Sequence, residues 1–249
     1  MAFYFSLFLF IVMKVHLFVP CFIDQLYPSI AFDTIKVLKK AGCTVIYNAN
    51  QTCCGQPAFN AGFWQESKEV CSKFLADFKD ATYIVSPSAS CVGFVRNYYA
   101  KLFDTTSNRG NVSALGQKIY ELSDFLVNVL QKDDFNAVLN GRATYHDSCA
   151  GLRECKIKNE PRQLLCKVAG LELVEMKDVE TCCGFGGSFA VKFEQISIAM
   201  ADQKIAHALE TNAQYIMSTD MSCLMHIDGR IKNIGADIRV LHIAEVLAM

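Results

Sequence analysis

The sequence predicts an α/β protein of two pseudo-symmetric repeats, each a small parallel sheet covered by helices. Three observations lead to this fold class. Apolar strand-like segments alternate with amphipathic helical segments, the two halves repeat the same order of segments, and one cysteine pattern occurs in each half. Strands that alternate with helices are typical of parallel sheets. We therefore expect repeats over residues 14–133 and 134–249, preceded by an upstream extension at residues 1–12.

The first segment of the chain, MAFYFSLFLFIVM, is apolar but short. A helix needs about 20 apolar residues to cross the hydrocarbon core of a membrane, and this stretch has about a dozen. It also lacks the basic residues and the small-residue cleavage site of a secretory signal. We therefore expect no transmembrane span, and we interpret Met13 as the biological start, with a strand directly after it.

Charge and cysteine content narrow the class of protein. The 249 residues include 24 Lys and Arg against 25 Asp and Glu, without a long run of like charge. A nucleic-acid partner would favour a basic surface, so we expect none. The 12 cysteines come without an export signal. In a reducing compartment, clustered thiols bind metal or react more often than they form disulfides, so we expect a cytoplasmic protein.

Each repeat begins with a strand that leads to a cysteine and then to a helical segment. The first strand spans residues 15–20 and leads to Cys21, and its counterpart spans residues 142–145 and leads to Cys149. Both helical segments end at an Ala-Gly pair, at the same distance from the cysteine: residues 41–42 in the first repeat and 169–170 in the second.

The remaining elements also occur twice. A short strand at residues 44–47 or 171–174 leads to a Cys-Cys-Gly triplet, and a long amphipathic helix follows. A third strand, in TYIVSPS or QYIMSTD, leads to a Ser-Cys pair, and the closing segments IYELSDFLVNVL and VLHIAEVLAM are alike. Self-similarity over this length indicates a duplicated unit.

Eight cysteines have a counterpart in the other repeat: Cys21 with Cys149, Cys53 and Cys54 with Cys182 and Cys183, and Cys91 with Cys223. Ligands of parallel sheets collect beyond the carboxyl ends of the strands, so each repeat can gather four thiols. Four thiolates suit a zinc ion or an iron–sulfur cluster. Structural zinc usually takes C-x₂-C pairs. None of the eight is spaced in that way, so the pattern favours one or two [4Fe–4S] clusters per chain.

The other polar candidates receive simpler interpretations. Cys43, Cys71 and Cys166 are interpreted as small buried hydrophobic residues. Cys155, six residues after Cys149, is a weaker candidate for a functional role.

His146 and His226 each lie three residues from a proposed ligand. We interpret them as hydrogen-bonded loop histidines, with a hydrogen bond to the cluster sulfur or a proton-relay role as the alternatives. Arg96, Arg153 and Lys192 are interpreted as solvated basic residues, and catalytic residues stay unassigned.

The segments CCGQPAFNAG, CCGFGGSF, SPSASC and DMSC resemble the cysteine-rich CCG domain family. That family includes components of heterodisulfide reductase and of anaerobic glycerol-3-phosphate dehydrogenase. From about Lys14 to Met249, including YHDSC and LHIAEVL, the chain is most similar to the lactate-utilization protein A group. The resemblance implies an iron–sulfur electron-transfer component of an L-lactate dehydrogenase-type complex. Such a component works with two partner proteins to oxidise L-lactate to pyruvate, and any membrane association runs through those partners.

One feature departs from the fullest family motif, which ends in C-x-x-C. Ser88 and Asp220 occupy the first of those positions. Four cysteines per repeat suffice for an ordinary four-iron cluster, whereas the noncubane clusters of the heterodisulfide enzyme need a fifth thiol. Two alternatives remain open: a non-redox structural zinc protein that acts as a scaffold in a complex, and a thiol–disulfide enzyme that uses Cys53 and Cys54.

Overall fold

The fold is seen in a computed structural model, which describes residues 13–103 and 106–249. The extension predicted at residues 1–12 lies outside the described residues. Two four-stranded parallel sheets form the framework, with the strand orders β2-β1-β3-β4 and β6-β5-β7-β8. The strands are β1 Lys14–Leu17, β2 Thr44–Tyr47, β3 Ile84–Ser86, β4 Ile119–Glu121, β5 Val138–Tyr145, β6 Ala169–Leu173, β7 Tyr215–Ser218 and β8 Arg239–His242.

The two sheets have the same topology. In each repeat the first strand pairs in parallel with the second strand on one side and with the third on the other. The fourth strand adds to the third. Parallel strands need a crossover between them, and helices supply it here. The predicted fold class, with two repeats of a helix-covered parallel sheet, is confirmed.

Helical elements follow every strand in chain order within the described residues. They are α1 Cys21–Leu26, α2 Pro28–Lys40, α3 Gln56–Ala61, α4 Trp64–Asp77, α5 Ala89–Leu102, α6 Thr106–Gly116, α7 Leu122–Asp124, α8 Asn159–Leu165, α9 Ser188–Lys192, α10 Glu194–Leu209, α11 Met221–Ile234 and α12 Ile243–Ala248. Phe125–Val129 and Ala150–Cys155 are π-helical. No helix among these described elements is both long and apolar enough to cross a bilayer.

The two repeats share an apolar core. One cluster of buried side chains runs from Val15 of β1 to Ala248 of α12, and a second surrounds Phe18 and Phe74 in the first repeat. Helix α12 packs on α2 of the first repeat. Lys40, at the end of α2, donates to backbone carbonyl oxygens of Leu247, Ala248 and Met249. A cation at this place suits the negative end of α12. The boundary at residues 133 and 134 stays a prediction, since the repeats are packed together.

Two helix boundaries differ from the sequence prediction. The helical segment of the second repeat ends at Leu165, and Ala169-Gly170 already belongs to β6. The first repeat has two helices instead of one, because Pro28 begins α2 and disfavours helical geometry in Tyr27 before it. Neither difference moves a cysteine away from the end of its strand.

Candidate metal centres

Four thiols of the first repeat meet beyond the ends of its strands. Cys21 begins α1, and Cys91 lies in the first turn of α5. Cys53 and Cys54 occupy the loop between β2 and α3. The Sγ atoms of Cys54 and Cys91 are 3.4 Å apart, and Cys53 Sγ contacts the thiols of Cys21 and Cys54. Cys54 and Cys91 are buried whereas Cys21 is exposed, so this centre has one side open to solvent.

The second repeat gathers its four thiols in the same way. Cys149 precedes the π-helical turn after β5, and Cys223 lies in the first turn of α11. The thiol of Cys182 contacts those of Cys149 and Cys183, and Cys183 contacts Cys223. Cys183 is buried and the other three are half-buried. The structure therefore brings together both predicted sets of four cysteines.

In each centre, hydrogen bonds stabilise the ionised form of one thiol. The hydrogen bond from Cys21, and then that from Cys54, lowers the pKa of Cys53. In the second repeat, the hydrogen bonds from Cys149 and Cys183 lower the pKa of Cys182. Thiolates are the form of cysteine that binds metals. Each centre thus contains a stabilised thiolate among three further soft donors.

Backbone amides point at the same two sulfur atoms. The amide of Gly55 donates to Cys53 Sγ, and that of Gly184 donates to Cys182 Sγ, both at 3.4 Å. Such hydrogen bonds to ligand sulfur tune iron–sulfur centres. Both glycines have a positive φ, 92° and 93°. A Cβ on Gly184 would lie 2.6 Å from Ser197 O, so only glycine fits this close approach.

Two serines, absent from the sequence prediction, anchor the cysteine loops to the long helices. Ser67 Oγ on α4 donates to Gly55 O at 3.0 Å. Ser197 Oγ on α10 donates to Gly184 O at 2.8 Å. Both serines are fully buried. The signal that could have found them is the internal repeat, because they occupy equivalent positions after the two Cys-Cys-Gly triplets.

Ser88 and Asp220, at the two departures from the C-x-x-C motif, meet at the junction of the repeats. They form an antiparallel bridge, and Ser88 Oγ lies 3.2 Å from Asp220 Oδ1. Asp220 also accepts hydrogen bonds from Ser90 N and Ser148 Oγ. Burial raises the pKa of its carboxyl group. These two positions therefore join the repeats, and the carboxylate is already occupied by hydrogen bonds.

The surroundings of the second centre contain two polar residues that the first lacks. His146 stands where the first repeat has Phe18, and Lys204 where it has Phe74. The two phenylalanine rings pack edge to face, 4.8 Å apart. His146 is fully buried, and neither of its ring nitrogens has a hydrogen-bond partner among the described residues. The interpretation of His146 as a hydrogen-bonded histidine was wrong.

His146 is close to the second set of thiols. One of its ring nitrogens and the Sγ atoms of Cys183 and Cys223 all lie within 4.8 Å of one another. Burial lowers the pKa of His146 to about 3, and the nearby Lys204 ammonium adds to this shift. The imidazole is therefore neutral, the form that binds metals.

The remaining candidates are mostly structural. Cys43 and Cys71 are buried as predicted, but Cys166 is exposed because it follows the last residue of α8. Cys155 is buried against the other repeat, with its thiol 3.3 Å from Ala89 O. His226 lies on α11 rather than in a loop, and its Nε2 is 3.1 Å from Ser197 Oγ.

The three basic residues divide into different environments. Arg96 is half-buried and bonds Ile119 O and Asp124, so its interpretation as a solvated residue was wrong. Lys192 is exposed. The hydrogen bond with Cys182 raises the pKa of the Cys149 thiol, and the positive charge of Arg153 opposes this shift.

The donor chemistry of both centres fits a metal or a metal cluster held by thiolates. Each has four soft donors from three separate segments, a stabilised thiolate and an amide aimed at its sulfur. The same chain contains no disulfide among its described cysteines.

Comparison with known proteins agrees with this organisation. The family model described as "Cysteine-rich domain" (CCG) matches residues 15–96 and again residues 143–228. Lactate utilization protein A of Geobacillus kaustophilus is 45% identical over 235 residues, covering 94% of this chain and 98% of the relative. Lactate utilization protein A 2 of Bacillus cereus is 41% identical over 237 residues, covering 95% of this chain and 98% of the relative.

Among solved structures, a hypothetical protein from Helicobacter pylori has a similar fold. Its TM-score is 0.60 at 11% identity, covering 94% of this chain and 48% of that one. At this identity the likeness concerns the fold alone. The duplicated match and the relatives' identity over nearly the whole chain show the family directly. The chain belongs to the CCG cysteine-rich domain proteins, within the lactate utilization protein A family.

Proposed function

We propose that this protein is an iron–sulfur electron carrier with a [4Fe–4S] cluster in each repeat. Cys21, Cys53, Cys54 and Cys91 would hold the first cluster, and Cys149, Cys182, Cys183 and Cys223 the second. The observation that carries the proposal is the convergence of four thiols in each repeat beyond the ends of the strands. When bound, such a cluster accepts and gives up one electron at a time.

The residues around the thiols have the roles that such a carrier requires. Gly55 and Gly184 bring their amides to the sulfur of Cys53 and Cys182. Donors aimed at ligand sulfur stabilise the added negative charge of a reduced centre. Ser67 and Ser197 fix these loops on α4 and α10, so that the donors stay in place. The chain would thus bind the clusters, shield them from solvent and tune their reduction potentials.

The two centres are linked through the protein. Phe22 follows Cys21, and Phe185 follows the Cys-Cys-Gly triplet of the second repeat. Their ring centroids are 6.4 Å apart. This contact places segments of the two cysteine sites side by side. It supports passage of electrons through the chain from one centre to the other.

The names of the relatives indicate the substrate on which the proposed carrier would act. Proteins named for lactate utilization are 41–45% identical to this chain. We infer that the chain serves the oxidation of L-lactate to pyruvate, as a cytoplasmic component that works with two partner proteins. The exposed edge at Cys21 supports exchange of electrons with a partner.

Reductive titration of anaerobically purified protein tests the proposed redox role. We expect brown protein whose absorbance near about 400 nm falls on addition of dithionite, as in other thiolate-bound clusters. Cys54→Ser and Cys183→Ser should each remove part of this change. Cys166→Ser is the matched control, because Cys166 is exposed and has no counterpart cysteine.

Two results would contradict electron transfer and select an alternative. Colourless protein that contains zinc and no sulfide would indicate a structural zinc protein that acts as a scaffold. Metal-free protein that reduces disulfides through Cys53 and Cys54 would indicate a thiol–disulfide enzyme.

The lactate assignment needs a separate experiment with the partner proteins present. Cells that lack this chain should regain growth on L-lactate when the wild-type protein is supplied, and should not regain it with Cys54→Ser. Growth on L-lactate without the chain would overturn the assignment.

A further inference from the structure

The environment of the second centre contains a donor that the thiol pattern does not account for. His146 is fully buried directly after β5, at the carboxyl edge of the sheet where the cysteines meet. Its backbone is fixed there, because its amide donates to Met217 O at 2.7 Å and its carbonyl accepts a hydrogen bond from Ser218 Oγ. The side chain is thus held at the centre by the sheet itself.

The imidazole of His146 is unpaired within the part of the chain that the structure describes. Neither Nδ1 nor Nε2 has a hydrogen-bond partner among the described residues. Leaving a buried polar group unsatisfied costs about 1–3 kcal/mol, so a buried imidazole without any partner calls for an explanation. One ring nitrogen lies within 4.8 Å of the Sγ atoms of both Cys183 and Cys223. A metal bound by these thiols would satisfy it.

The other charged or imidazole side chains considered near this centre are already hydrogen-bonded. Asp220, which replaces a motif cysteine, accepts hydrogen bonds from Ser88, Ser90 and Ser148. Asp147, next to His146, is held at both carboxylate oxygens by Arg162 at 2.9 Å. His226 faces Ser197 Oγ. His146 is therefore the side chain in this group whose ligand capacity is unused.

Lys204 gives a second, independent sign that an anionic group belongs here. It is 1% exposed, and among the residues that the structure describes its ammonium group donates to the backbone carbonyls of Asp178 and Val179. Burial lowers the pKa of Lys204, and the charges of Cys183, Asp147 and Asp178 oppose this shift. A negatively charged centre nearby adds to the stabilisation of such a buried cation.

Resting on the proposed iron–sulfur function, we propose that His146 is a nitrogen ligand of the second centre, so that the two centres of the chain differ chemically. The first centre has thiol donors alone, since Phe18 occupies the position equivalent to His146. The second offers His146 in addition to Cys149, Cys182, Cys183 and Cys223, so one iron of its cluster would bind two of these five side chains. Imidazole is a well-attested ligand of iron beside thiolates.

Pulsed electron paramagnetic resonance of the reduced protein, grown with ¹⁵N-labelled histidine, tests this proposal. We expect a nuclear coupling of the size produced by a directly bound histidine nitrogen. His146→Phe, which installs the first repeat's residue, should abolish the coupling. His226→Phe is the matched control, because the first repeat has Phe94 at that position, and it should retain the coupling. His146→Cys offers a replacement ligand and should keep iron while losing the nitrogen signal.

The outcomes separate this inference from the proposed function. Iron and sulfide in both repeats without any strong nitrogen coupling would overturn the role of His146 and leave the electron carrier intact. Retention of the coupling in His146→Phe or His146→Cys would also overturn it. Absence of iron and sulfide from wild-type protein would contradict the electron carrier and the nitrogen ligand together.

Discussion

Two features require a glycine after each pair of adjacent cysteines: the positive φ of its backbone and the lack of space for a Cβ atom. Gly55 and Gly62 flank α3 with nearly the same conformation, φ 92° and ψ −7° against φ 89° and ψ 4°. A Cβ on Gly62 would meet nothing within 4 Å, whereas one on Gly55 would lie 3.0 Å from Cys71 Sγ and 3.2 Å from Ser67 Oγ. Substitutions at Gly62 and Gly55 therefore separate the cost of backbone strain from the cost of crowding by a side chain.

We predict that Gly62→Ala costs about 1–2 kcal/mol, the penalty of the left-handed backbone. Gly55→Ala should cost more and should also lower the iron content of the first centre, because the amide on Cys53 would shift. For a chain of this size each kcal/mol changes the melting temperature by about 2–4 °C, so thermal unfolding resolves the difference. Equal melting temperatures and equal iron content in the two variants would contradict the role given to Gly55.

Glu121 is a buried acid that links stability to pH. It lies at the end of β4, fully buried, and its Oε2 accepts hydrogen bonds from Ser123 and Asp124. Burial raises the pKa of its carboxyl group to about 8. The folded state thus prefers the neutral acid. Its contribution is fully present below the ordinary pKa of glutamate and is lost as the pH rises toward 8.

We predict that the stability of the wild-type protein falls by on the order of 1 kcal/mol per pH unit between pH 6 and 8 relative to Glu121→Gln, which cannot ionise. Melting temperatures of the two proteins across this range measure the effect. Parallel profiles would show that Glu121 does not titrate in this window.

At the scale of single residues, the sequence predicts ligands better than it predicts their neighbours. The eight matched cysteines could be found because duplication marks them. His146 and Lys204 could not, because each stands alone in one repeat, and their meaning depends on a burial that only the packing of β5 and α10 reveals. Cys166 was misjudged because α8 ends one residue earlier and leaves its side chain in solvent.

At the scale of elements, contact between the repeats depends on close packing of α5 on the π-helical turn at Ala150–Cys155. Gly93 of α5 makes this possible, since a Cβ there would lie 2.5 Å from Glu154 Cβ. Asn97 and Tyr98 on the same helix bond Glu154. A second glycine inside a helix, Gly229 of α11, would give a Cβ no contact within 4 Å.

We predict opposite effects for alanine at these two positions. Gly229→Ala should stabilise the protein by up to about 1 kcal/mol through helix propensity. Gly93→Ala should destabilise it by about 1–3 kcal/mol, because overpacking would push α5 away from the other repeat. Thermal unfolding of the two variants provides the comparison. Stabilisation by both substitutions would mean that the junction is not tightly packed at Gly93.

Most strands and helices could be predicted from hydrophobic periodicity and from the internal repeat, because both follow from local spacing. The strand at residues 44–47 was predicted with its observed bounds. The π-helical turns and the bridge between Ser88 and Asp220 could not be predicted, because they arise where the two repeats contact each other. Local patterns carry no information on that contact.

At the scale of the whole molecule, one duplicated framework holds two different environments. Phe18 and Phe74 lie near the first centre, and His146 and Lys204 occupy the equivalent positions near the second. A nearby cation favours the reduced state of an iron–sulfur centre. We therefore predict that the second centre has the more positive reduction potential and receives electrons from the first.

Replacing the charge at Lys204 tests this order. Lys204→Met keeps an unbranched buried chain and removes the ammonium group, so the potential of the second centre should become more negative while that of the first stays unchanged. A redox titration followed by electron paramagnetic resonance reports both values. An equal shift of both centres, or none, would contradict the assignment.

The most direct test of the central claim is the iron and acid-labile sulfide content of anaerobically purified protein. We predict about eight of each per chain, falling to about four in Cys54→Ser and in Cys183→Ser, because each variant removes a ligand from one four-iron cluster. Wild-type protein without acid-labile sulfide, whether or not it holds zinc, would contradict the account.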